Sequence, residues 1–531
     1  MLVRLVVVSY VPRKVLCIRN DEWSVLEMEY ISGDVKEKAN ELVRRVLGIS
    51  CNFLVDSDFI LEEHGQTVKY LWMFTCREIF DKANLEYRWF SVDELPLSAK
   101  VVQRLQREIN REVVILCDKE PYTNNAYSDK CVQTQNSKQA YSRVLPLKLL
   151  HPELTIDTPP NILDVFFMER ILMKSYNTDD EFVLLDTDGY SWGIINMLPM
   201  ILYRCEKVIM KKTPEGCKIG DRDIDLYMYV MGHYGTKIEH LDGDLHFSYE
   251  PYKHDIEVDL PYFGSFTATS MAVYFALMEQ RTSVIKNASI EPEIQFLLDT
   301  VTKLGYGIQQ SGRTITICGK RDHRVPLNQV IRIPCDRNAL VTQIVAAAFE
   351  EREFWQTTDA DISLDCLVQK FKEFGISLEV EGNNIRLLKQ QRGKRYPKEL
   401  VFGHHPALCT DWQPLLSLLC VENENDILIY DALFNKRFGI FEQLKAIYPG
   451  LEAHIFKYLA IIKNNIPGLR IENMQMKEFE LQDIRAAAAI SIALSKNCAF
   501  LLSNLDQLLR GYENMDQISA TLGRRVKYAF R

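Results

Sequence analysis

The sequence predicts an α/β fold in which a unit of helices and strands is repeated along the chain. At 531 residues the chain is longer than one hydrophobic core usually extends. Apolar residues make up 47% of it and charged residues 25%, as in ordinary globular proteins. Five times, an amphipathic helical pattern ends at a glycine and a strand pattern follows. These glycines, 70, 70, 75 and 73 residues apart, are Gly235, Gly305, Gly375, Gly450 and Gly523.

Local signals support each unit. FLLDTVTKLG has a helical period and stops at Gly305, and YGIQQSGRTITICG then alternates as paired strands do. Glycine suits such a stop because a helix often ends in a left-handed backbone conformation. A sixth copy is indicated in LTIDTPPNILDVFFMERILMKS, which has a strand, a turn and an apolar-faced helix but no glycine. Six units would fill the chain from about residue 112 to 531 and form lobes with a ligand cleft between them.

The composition argues against several classes of protein. A net charge of −9 without a long run of Lys or Arg argues against a nucleic-acid partner. The N-terminal MLVRLVVVSYVPRKV is short and β-branched, so it predicts a first strand rather than a signal peptide. No stretch reaches the about 18 apolar residues that a membrane-spanning helix needs. We therefore expect a soluble, cytoplasmic protein without a membrane partner, and the oligomeric state stays open.

The cysteines predict a reducing compartment. There are thirteen, without a CxxC pair, so neither a disulfide framework nor a metal site is indicated. Most are expected to be buried packing residues. Cys217 lies instead in the loop TPEGCKIGDRDIDLY, close to Lys218 and Arg222.

Seven stretches resemble the enolpyruvyl transferase family: PEGCKIGDRDIDL, IKNASIEPEIQFLLDTVTKLG, CDRNALVTQIVAAAF, HPALCTDWQ, FNKRFGIFEQL, DIRAAAAISIAL and RGYENMDQ. The likeness is to its UDP-N-acetylglucosamine 1-carboxyvinyltransferase branch, whose sister branch is 5-enolpyruvylshikimate-3-phosphate synthase. It implies an inside-out α/β fold of two lobes with three units each, in which the helices are buried and the sheets lie outside. The first lobe would be residues 111–333 and the second 334–531, with 111–137 assignable to the second lobe as well.

The resemblance implies transfer of the enolpyruvyl group of phosphoenolpyruvate to a hydroxyl, with release of phosphate through a tetrahedral ketal and without a cofactor. Cys217 would protonate the methylene carbon and form a transient adduct, since nearby Lys218 and Arg222 can lower its pKa. Asp411 would accept the proton of the hydroxyl. Its place before the apolar run WQPLLSLL also fits a helix N-cap, and both roles are compatible.

A cluster of cations would bind phosphoenolpyruvate, because guanidinium groups pair bidentately with phosphate and carboxylate. By resemblance these cations are Lys138, Arg222, Arg437, Arg485 and Arg510. Asp483 is similar to the carboxylate that orients them. Beside Lys138, the asparagine usual in the family is replaced by Gln139.

The acceptor site is similar to that of the family but departs from it in two places. Asp225 and Leu226 resemble the segment that contacts a uracil ring. Ser191 stands where the family has an arginine near the diphosphate, and Tyr262 where it has a serine. The implied acceptor-binding residues are Asp225, Leu226, Tyr262, Phe263 and Gly264. We expect a nucleotide or nucleotide-sugar-like acceptor.

Residues 1–110 form a separate domain whose strand pattern resembles a Nudix domain of α/β/α type. Its helix GDVKEKANELVRRVLGIS has an apolar face but lacks the usual cluster of carboxylates, retaining Glu37 and Glu41. We expect a non-catalytic module, with a generic small α/β domain as the alternative. Two further alternatives remain for the whole chain: a non-catalytic binding or regulatory protein, and a bifunctional enzyme with an active Nudix hydrolase domain.

Overall fold

A computed structural model gives the architecture of the protein. It describes residues 2–9, 15–19, 22–29, 34–47, 52–55, 59–63, 65–75, 86–109, 113–121, 134–178, 181–184, 191–214, 217, 219–220, 224–261, 264–278, 281–359, 362–388, 396–421, 423–463, 477–480, 483–495, 500–503, 506–513 and 524–530. Within these ranges no helix combines the length and the apolar character needed to cross a membrane.

The N-terminal domain is a mixed sheet with helices packed on it. Its elements are β1 (Leu2–Ser9), β2 (Val15–Arg19), β3 (Trp23–Ser24), β4 (Leu26–Glu29), α1 (Val35–Leu47), β5 (Asn52–Val55), β6 (Phe59–Glu63), β7 (Gln66–Thr75), β8 (Glu86–Phe90) and α2 (Ala99–Ile109). Val3 on β1 belongs to a buried cluster with Ala39 and Val43 of α1. Val6 belongs to the other cluster, which includes Val101 of α2. The predicted apolar face of α1 is therefore confirmed.

A first half of the remaining chain carries two complete units. They follow β9 (Val113–Pro121), α3 (Lys138–Val144), α4 (Leu147–Leu150), β10 (Thr155–Asp157) and α5 (Leu163–Tyr176). One unit is β11 (Glu181–Leu184), α6 (Leu198–Cys205), β12 (Lys207–Met210), α7 (Asp225–His233), β13 (Thr236–Leu241) and β14 (Asp244–Tyr249). The other is β15 (Ile256–Asp259), α8 (Phe266–Met278), β16 (Thr282–Lys286), α9 (Pro292–Lys303), β17 (Gly307–Ser311) and β18 (Thr314–Cys318).

A second half carries three more units. The first is β19 (Val330–Arg332), α10 (Arg337–Phe349), β20 (Phe354–Thr357), α11 (Asp365–Glu373), β21 (Leu378–Glu381) and β22 (Asn384–Leu387). The next is β23 (Glu399–Gly403), β24 (Leu408–Cys409), α12 (Gln413–Leu419), β25 (Ile427–Asp431), α13 (Ile440–Ile447), β26 (Ala453–Ile455) and β27 (Leu459–Ile462). The last is β28 (Lys477–Glu480), α14 (Ile484–Ser495), β29 (Phe500–Ser503), α15 (Asp506–Leu509) and β30 (Arg524–Phe530).

Four of the five predicted glycines stand where a helix gives way to a hairpin. Gly235, Gly305 and Gly375 follow α7, α9 and α11 with φ angles of 91°, 97° and 72°. Gly450 precedes the hairpin of β26 and β27, whereas Gly523 lies outside the described residues. A side chain at Gly235 would collide with the carbonyl oxygen of Glu250. The repeat predicted from these glycines is thus present in the fold.

The sixth copy differs from its prediction. The expected strand and helix are β10 and α5, but among the described strands β10 belongs to a two-stranded sheet without a hairpin. It pairs in parallel with β19, with Ile156 opposite Ile331, and so links the two halves. Each strand of this pair satisfies backbone hydrogen-bonding groups of the other.

The helices are buried and the sheets face outward, as the resemblance implies. All 13 residues of α10 are buried, and α8 and α14 are almost as enclosed. The strands outside them alternate instead, so that Val401 on β23 and Tyr430 on β25 are exposed at 44% each. A helix that is buried on all sides belongs to the core of the protein.

The last unit is completed by β9, a strand from a much earlier part of the chain. Its strand order β28-β29-β9-β30 matches the order β11-β12-β14-β13 when β9 takes the place of the final strand. Residues 113–121 therefore lie in the sheet of the second half. On its other side β30 pairs with β5, with Tyr528 opposite Leu54 and Ala529 opposite Val55, so one 12-stranded sheet runs into the N-terminal domain.

We expect removal of residues 1–110 to destabilise the rest of the protein, because β30 would lose β5 and present an open sheet edge. Each lost backbone hydrogen bond contributes about 1 kcal/mol, and open edges promote association. Thermal unfolding and size-exclusion chromatography would show a lower Tm and aggregation. The full chain with Ile60→Asp, a change at an exposed residue of β6, serves as control. A truncated chain that stays monodisperse with an unchanged Tm would contradict this expectation.

Candidate active site

A cavity of about 420 Å³ lies between the two halves of the fold. The first turns of several buried helices reach its wall, including Asp164 of α5, Phe266 of α8, Arg337 of α10 and Arg485 of α14. Helix N-termini carry partial positive charge, so their convergence favours an anionic ligand.

The described wall of the cavity is rich in charge of both signs. Its six cationic side chains are Lys138, Arg143, Arg337, Arg437, Arg485 and Arg510. Its five carboxylates are Asp164, Glu291, Glu293, Asp411 and Asp483. In such an enclosed place each charge must be paired or hydrogen-bonded, and the pairs show how the site is organised.

Asp411 lies among cations of the second half. Arg437 Nη1 donates to its Oδ1 at 3.0 Å, and Arg485 Nε lies 3.7 Å from its Oδ2, to which Asn338 Nδ2 also donates at 3.1 Å. Burial would raise the pKa of Asp411, but Arg437, Arg485 and Lys138 outweigh it and hold that pKa far below the usual value. The carboxylate is therefore ionised and 22% exposed to the cavity.

The helix-cap role considered for Asp411 is not the one it plays. Residues Thr410–Trp412 form a 3-10 turn, and the N-cap of α12 is Trp412, without a side-chain hydrogen bond at the cap. Since the 3-10 turn already leads the backbone into the helix, the carboxylate of Asp411 is directed to Arg437 and Asn338 instead.

Cys217 is buried in the cavity wall, with 8% of its surface exposed. The effect of Lys218 and Arg222 on its pKa stays a prediction. Among the described groups, burial raises the pKa of Cys217, and Asp483 adds to this. Arg510, Lys138 and the backbone N–H of Ile484 oppose the shift without reversing it. Lys218 and Arg222 themselves lie outside the described residues. The buried thiol thus keeps its proton, because desolvation disfavours a thiolate.

Lys138 and Arg510 form a second cationic group beside Cys217. Lys138 Nζ lies 3.0 Å from Asp164 Oδ2, and Arg510 Nε donates to Asp164 Oδ1 at 2.8 Å. Although burial opposes it, Arg510 and Lys138 lower the pKa of Asp164 to about 2. Asp164 belongs to the first half and Arg510 to the second, so this bridge also joins the halves.

Asp483 lines the cavity and caps α14, with its Oδ2 accepting from the backbone N–H of Ala486 at 3.0 Å. Its charge also acts on two of the predicted cations. Burial would lower the pKa of Arg437, but Asp411 and, after it, Asp483 keep that pKa raised, and Asp483 acts likewise on Arg510. The carboxylate is thus fixed by its own helix and influences these cations through its charge.

The predicted acceptor residues are only partly brought to the cavity. Leu226 lines it, together with Ser191, the residue at which the resemblance led us to expect an arginine. Asp225 is exposed at the start of α7, and Gly264, with a φ of 83°, also lies off the wall, so the structure does not join these two to the site. Tyr262 and Phe263 lie outside the described residues.

Arg143 is a wall residue that sequence reasoning missed. Its guanidinium stacks on Phe266, 3.6 Å from the ring centre, and its Nη1 donates to Gln139 Oε1 at 2.7 Å and to Ser142 Oγ at 2.6 Å. Among the described residues no carboxylate lies within salt-bridge distance of it, and its buried Nε has no hydrogen-bond partner. Burial lowers its pKa to about 10, so it stays charged at neutral pH. The sequence signal that could have identified Arg143 is an arginine within the helical segment SKQAYSRVL.

Arg337 was also missed. It is 6% exposed and pairs with two carboxylates of the first half: Glu293, at 2.9 Å from its Nε and 3.1 Å from its Nη2, and Glu291. Glu291 in turn accepts from the backbone N–H of His405 at 2.9 Å. Arg337 and its two partners lie in the stretches CDRNAL and IEPEI, which entered the sequence analysis only as parts of the family likeness.

Metal-ligand geometry is not evident in the ranges that the structure describes, where no group of three or more His, Cys, Asp or Glu residues could hold an ion.

Comparisons with known proteins converge on one family. Residues 200–517 match the family described as EPSP synthase (3-phosphoshikimate 1-carboxyvinyltransferase). UDP-N-acetylglucosamine 1-carboxyvinyltransferase of Protochlamydia amoebophila is 27% identical over 355 residues, which are 62% of this chain and 73% of that protein. The enzyme of the same name from Kosmotoga olearia is 24% identical over 418 residues, 75% of this chain and 95% of that protein.

Two crystal structures share the fold. The enolpyruvyl transferase NikO from Streptomyces tendae superposes with a TM-score of 0.63 at 16% identity, covering 79% of this chain and all of its own. EPSP synthase from Acinetobacter baumannii gives a TM-score of 0.55 at 13% identity, with the same coverage of 79% and 100%. At these identities the likeness is one of architecture, and it extends over about four-fifths of the chain.

We expect the rate of alkylation of Cys217 by iodoacetamide to rise with pH. The midpoint of this rise should lie at a higher pH than for free N-acetylcysteine, because burial raises the pKa of the Cys217 thiol. Mass spectrometry of the peptide that contains Cys217, after brief exposure over a series of pH values, would measure it. A midpoint below that of the free thiol would show instead a thiolate stabilised by cations.

Proposed function

Since the chain belongs to the EPSP synthase (3-phosphoshikimate 1-carboxyvinyltransferase) family and is an enolpyruvyl transferase, we propose that it transfers the enolpyruvyl group of phosphoenolpyruvate to a hydroxyl of a nucleotide or nucleotide-sugar-like acceptor. The observation that carries the proposal is the convergence of Cys217, Asp411 and four predicted cations on one cavity wall. Those cations are Lys138, Arg437, Arg485 and Arg510.

The proposed reaction is an addition followed by an elimination. The acceptor oxygen bonds to C2 of phosphoenolpyruvate, its proton passes to Asp411, and Cys217 delivers the thiol proton to C3, which gives the tetrahedral ketal. The Cys217 thiolate then takes a proton back from the new methyl group while the bond between C2 and the phosphate oxygen breaks, which forms the enol ether, and the proton held by Asp411 passes to the departing phosphate. A neutral buried thiol suits the proton donor, and an ionised carboxylate suits the acceptor.

Binding of phosphoenolpyruvate would adjust the strength of the base. Although burial opposes it, Arg437 and Arg485 depress the pKa of Asp411, which makes it a weak base. A phosphate or carboxylate that takes up part of the hydrogen-bonding capacity of these guanidinium groups raises that pKa. Arg437 Nε and Arg485 Nη1 have no hydrogen-bond partner among the described residues, so that capacity is incompletely used by the protein.

Arg143 supports an anionic acceptor. It lies on the part of the cavity wall that the first half contributes, together with Trp192, Tyr227 and Leu226. The ring centres of Trp192 and Tyr227 are 6.1 Å apart. Aromatic rings beside a charged guanidinium match a ligand that has both a flat ring and a phosphate. This combination is the reason to keep the nucleotide class, although the family arginine is replaced by Ser191.

For the N-terminal domain we propose a Nudix-like module without hydrolase activity. The helices packed on its sheet and the exposed positions of Glu37 and Glu41 on α1 support this proposal.

Asp411→Asn should lower kcat for phosphate release by about 10²- to 10⁴-fold, the usual contribution of a positioned general base. Phosphate release from phosphoenolpyruvate would be followed across a panel of nucleotides and nucleotide sugars, with binding of phosphoenolpyruvate measured in parallel. Asp426→Asn, at a partly exposed carboxylate of the same half, is the control. A variant with kcat within tenfold of the parent would refute the role of Asp411, and no turnover of the parent with any of these acceptors would refute the acceptor class.

Arg143→Gln should raise the KM for the acceptor by about 10- to 100-fold, since a hydrogen bond to a charged group contributes about 1.5–3 kcal/mol. The KM for phosphoenolpyruvate should stay within about twofold, because other cations hold that substrate. Arg204→Gln, outside the cavity, controls for loss of a guanidinium from the same half. Equal effects on both KM values would argue against a site for the acceptor at Arg143.

A further inference from the structure

Asp164 has no role in the proposed reaction, yet it lies in the cavity wall with only 7% of its side chain exposed. It is the second residue of α5, whose neighbouring residues are mostly apolar and buried. A buried ion pair is in general weak evidence for stability, because desolvation offsets much of the attraction. A charge kept at such a position therefore calls for another explanation.

The geometry of its contacts gives one. The two oxygens of Asp164 take one cation each: Oδ2 faces Lys138 Nζ at 3.0 Å and Oδ1 faces Arg510 Nε at 2.8 Å. Lys138 Nζ is also 3.5 Å from the backbone oxygen of Arg510. One carboxylate thereby fixes the separation and direction of two like charges that come from distant parts of the chain.

The charge of the pair suits an anion. Asp164 accepts from Lys138 Nζ and from Arg510 Nε, so that it contacts one nitrogen of each cation. Arg510 uses another toward Gln507 Oε1 at 3.3 Å. Together, Lys138, Asp164 and Arg510 carry one net positive charge, which suits a phosphate group. Without Asp164 the two cations would repel each other.

We propose that Asp164 is a positioning residue that holds Lys138 and Arg510 as the phosphate-binding pair next to Cys217. The inference rests on the proposed function, because it assigns the phosphate of phosphoenolpyruvate to this pair. Since Asp164 and Arg510 come from different halves of the fold, the pair is assembled only when the halves lie as they do here.

The test uses inorganic phosphate as probe on the full chain. Phosphate should protect Cys217 from alkylation in the parent protein, as measured on the peptide that contains it, and Asp164→Asn should need at least about tenfold more phosphate for half protection. Asp164→Glu should recover part of the effect. In steady state, Asp164→Asn should raise the KM for phosphoenolpyruvate more than it lowers kcat.

Glu169→Gln is the matched control, because Glu169 is a buried acid on the same helix that accepts from Tyr141 Oη at 2.6 Å and lies off the cavity wall. It should leave phosphate protection within about twofold of the parent. The inference is overturned if phosphate gives the parent no protection, or if folded Asp164→Asn is protected at the parent concentration. Failure of turnover with protection intact would count against the proposed function and leave Asp164 in its role.

Discussion

Charge buried between the two halves of the fold is neutralised from both sides, and the rest of the site depends on this. Asp164 of the first half pairs with Arg510 of the second, and Glu291 and Glu293 of the first pair with Arg337 of the second. Because an unpaired buried charge is costly, separating the halves requires water to replace these partners. The charges that line the cavity are therefore neutralised only when the two halves lie in this position. Asp411 is held differently, by arginines of its own half.

The same cavity has opposite effects on the protonation of Cys217 and Asp411. Burial leaves the thiol of Cys217 protonated, while neighbouring guanidinium groups keep the carboxylate of Asp411 ionised. Environments that push two titratable groups apart are how enzymes divide acid and base roles. Here the division follows from the buried helices, since the turns that precede α12 and begin α14 place Asp411 and Arg485 at the cavity, and the turn after α15 places Arg510. An enolpyruvyl transferase needs such a division because one proton is delivered to carbon as another leaves oxygen.

Much of the fold could be predicted because it repeats: Gly235, Gly305 and Gly375 have the left-handed conformation that makes glycine a readable signal. Strand β10 could not, since its partner β19 is remote in sequence. In the site, Cys217, Asp411 and four of the five predicted cations were found from family likeness and meet in one cavity. Asp164 was missed although a charge in the apolar run ILDVFF signals a buried partner. The pKa of Cys217 could not be predicted, because burial is a property of packing rather than of the neighbouring letters.

The completion of the last unit by β9 has a consequence for how the chain acquires its structure. Strand β9 is among the first parts of this fold to leave the ribosome, but β29 and β30, its partners, are among the last. Pairing across such a sequence separation closes a very long loop, which slows folding. The sheet of β28, β29, β9 and β30 is thus finished only after β30, which follows Arg485 and Arg510 in sequence, has been synthesised. Arg485 and Arg510 are consequently backed by the complete sheet only once β30 has joined β9, so a nascent chain that lacks β30 has only part of this sheet.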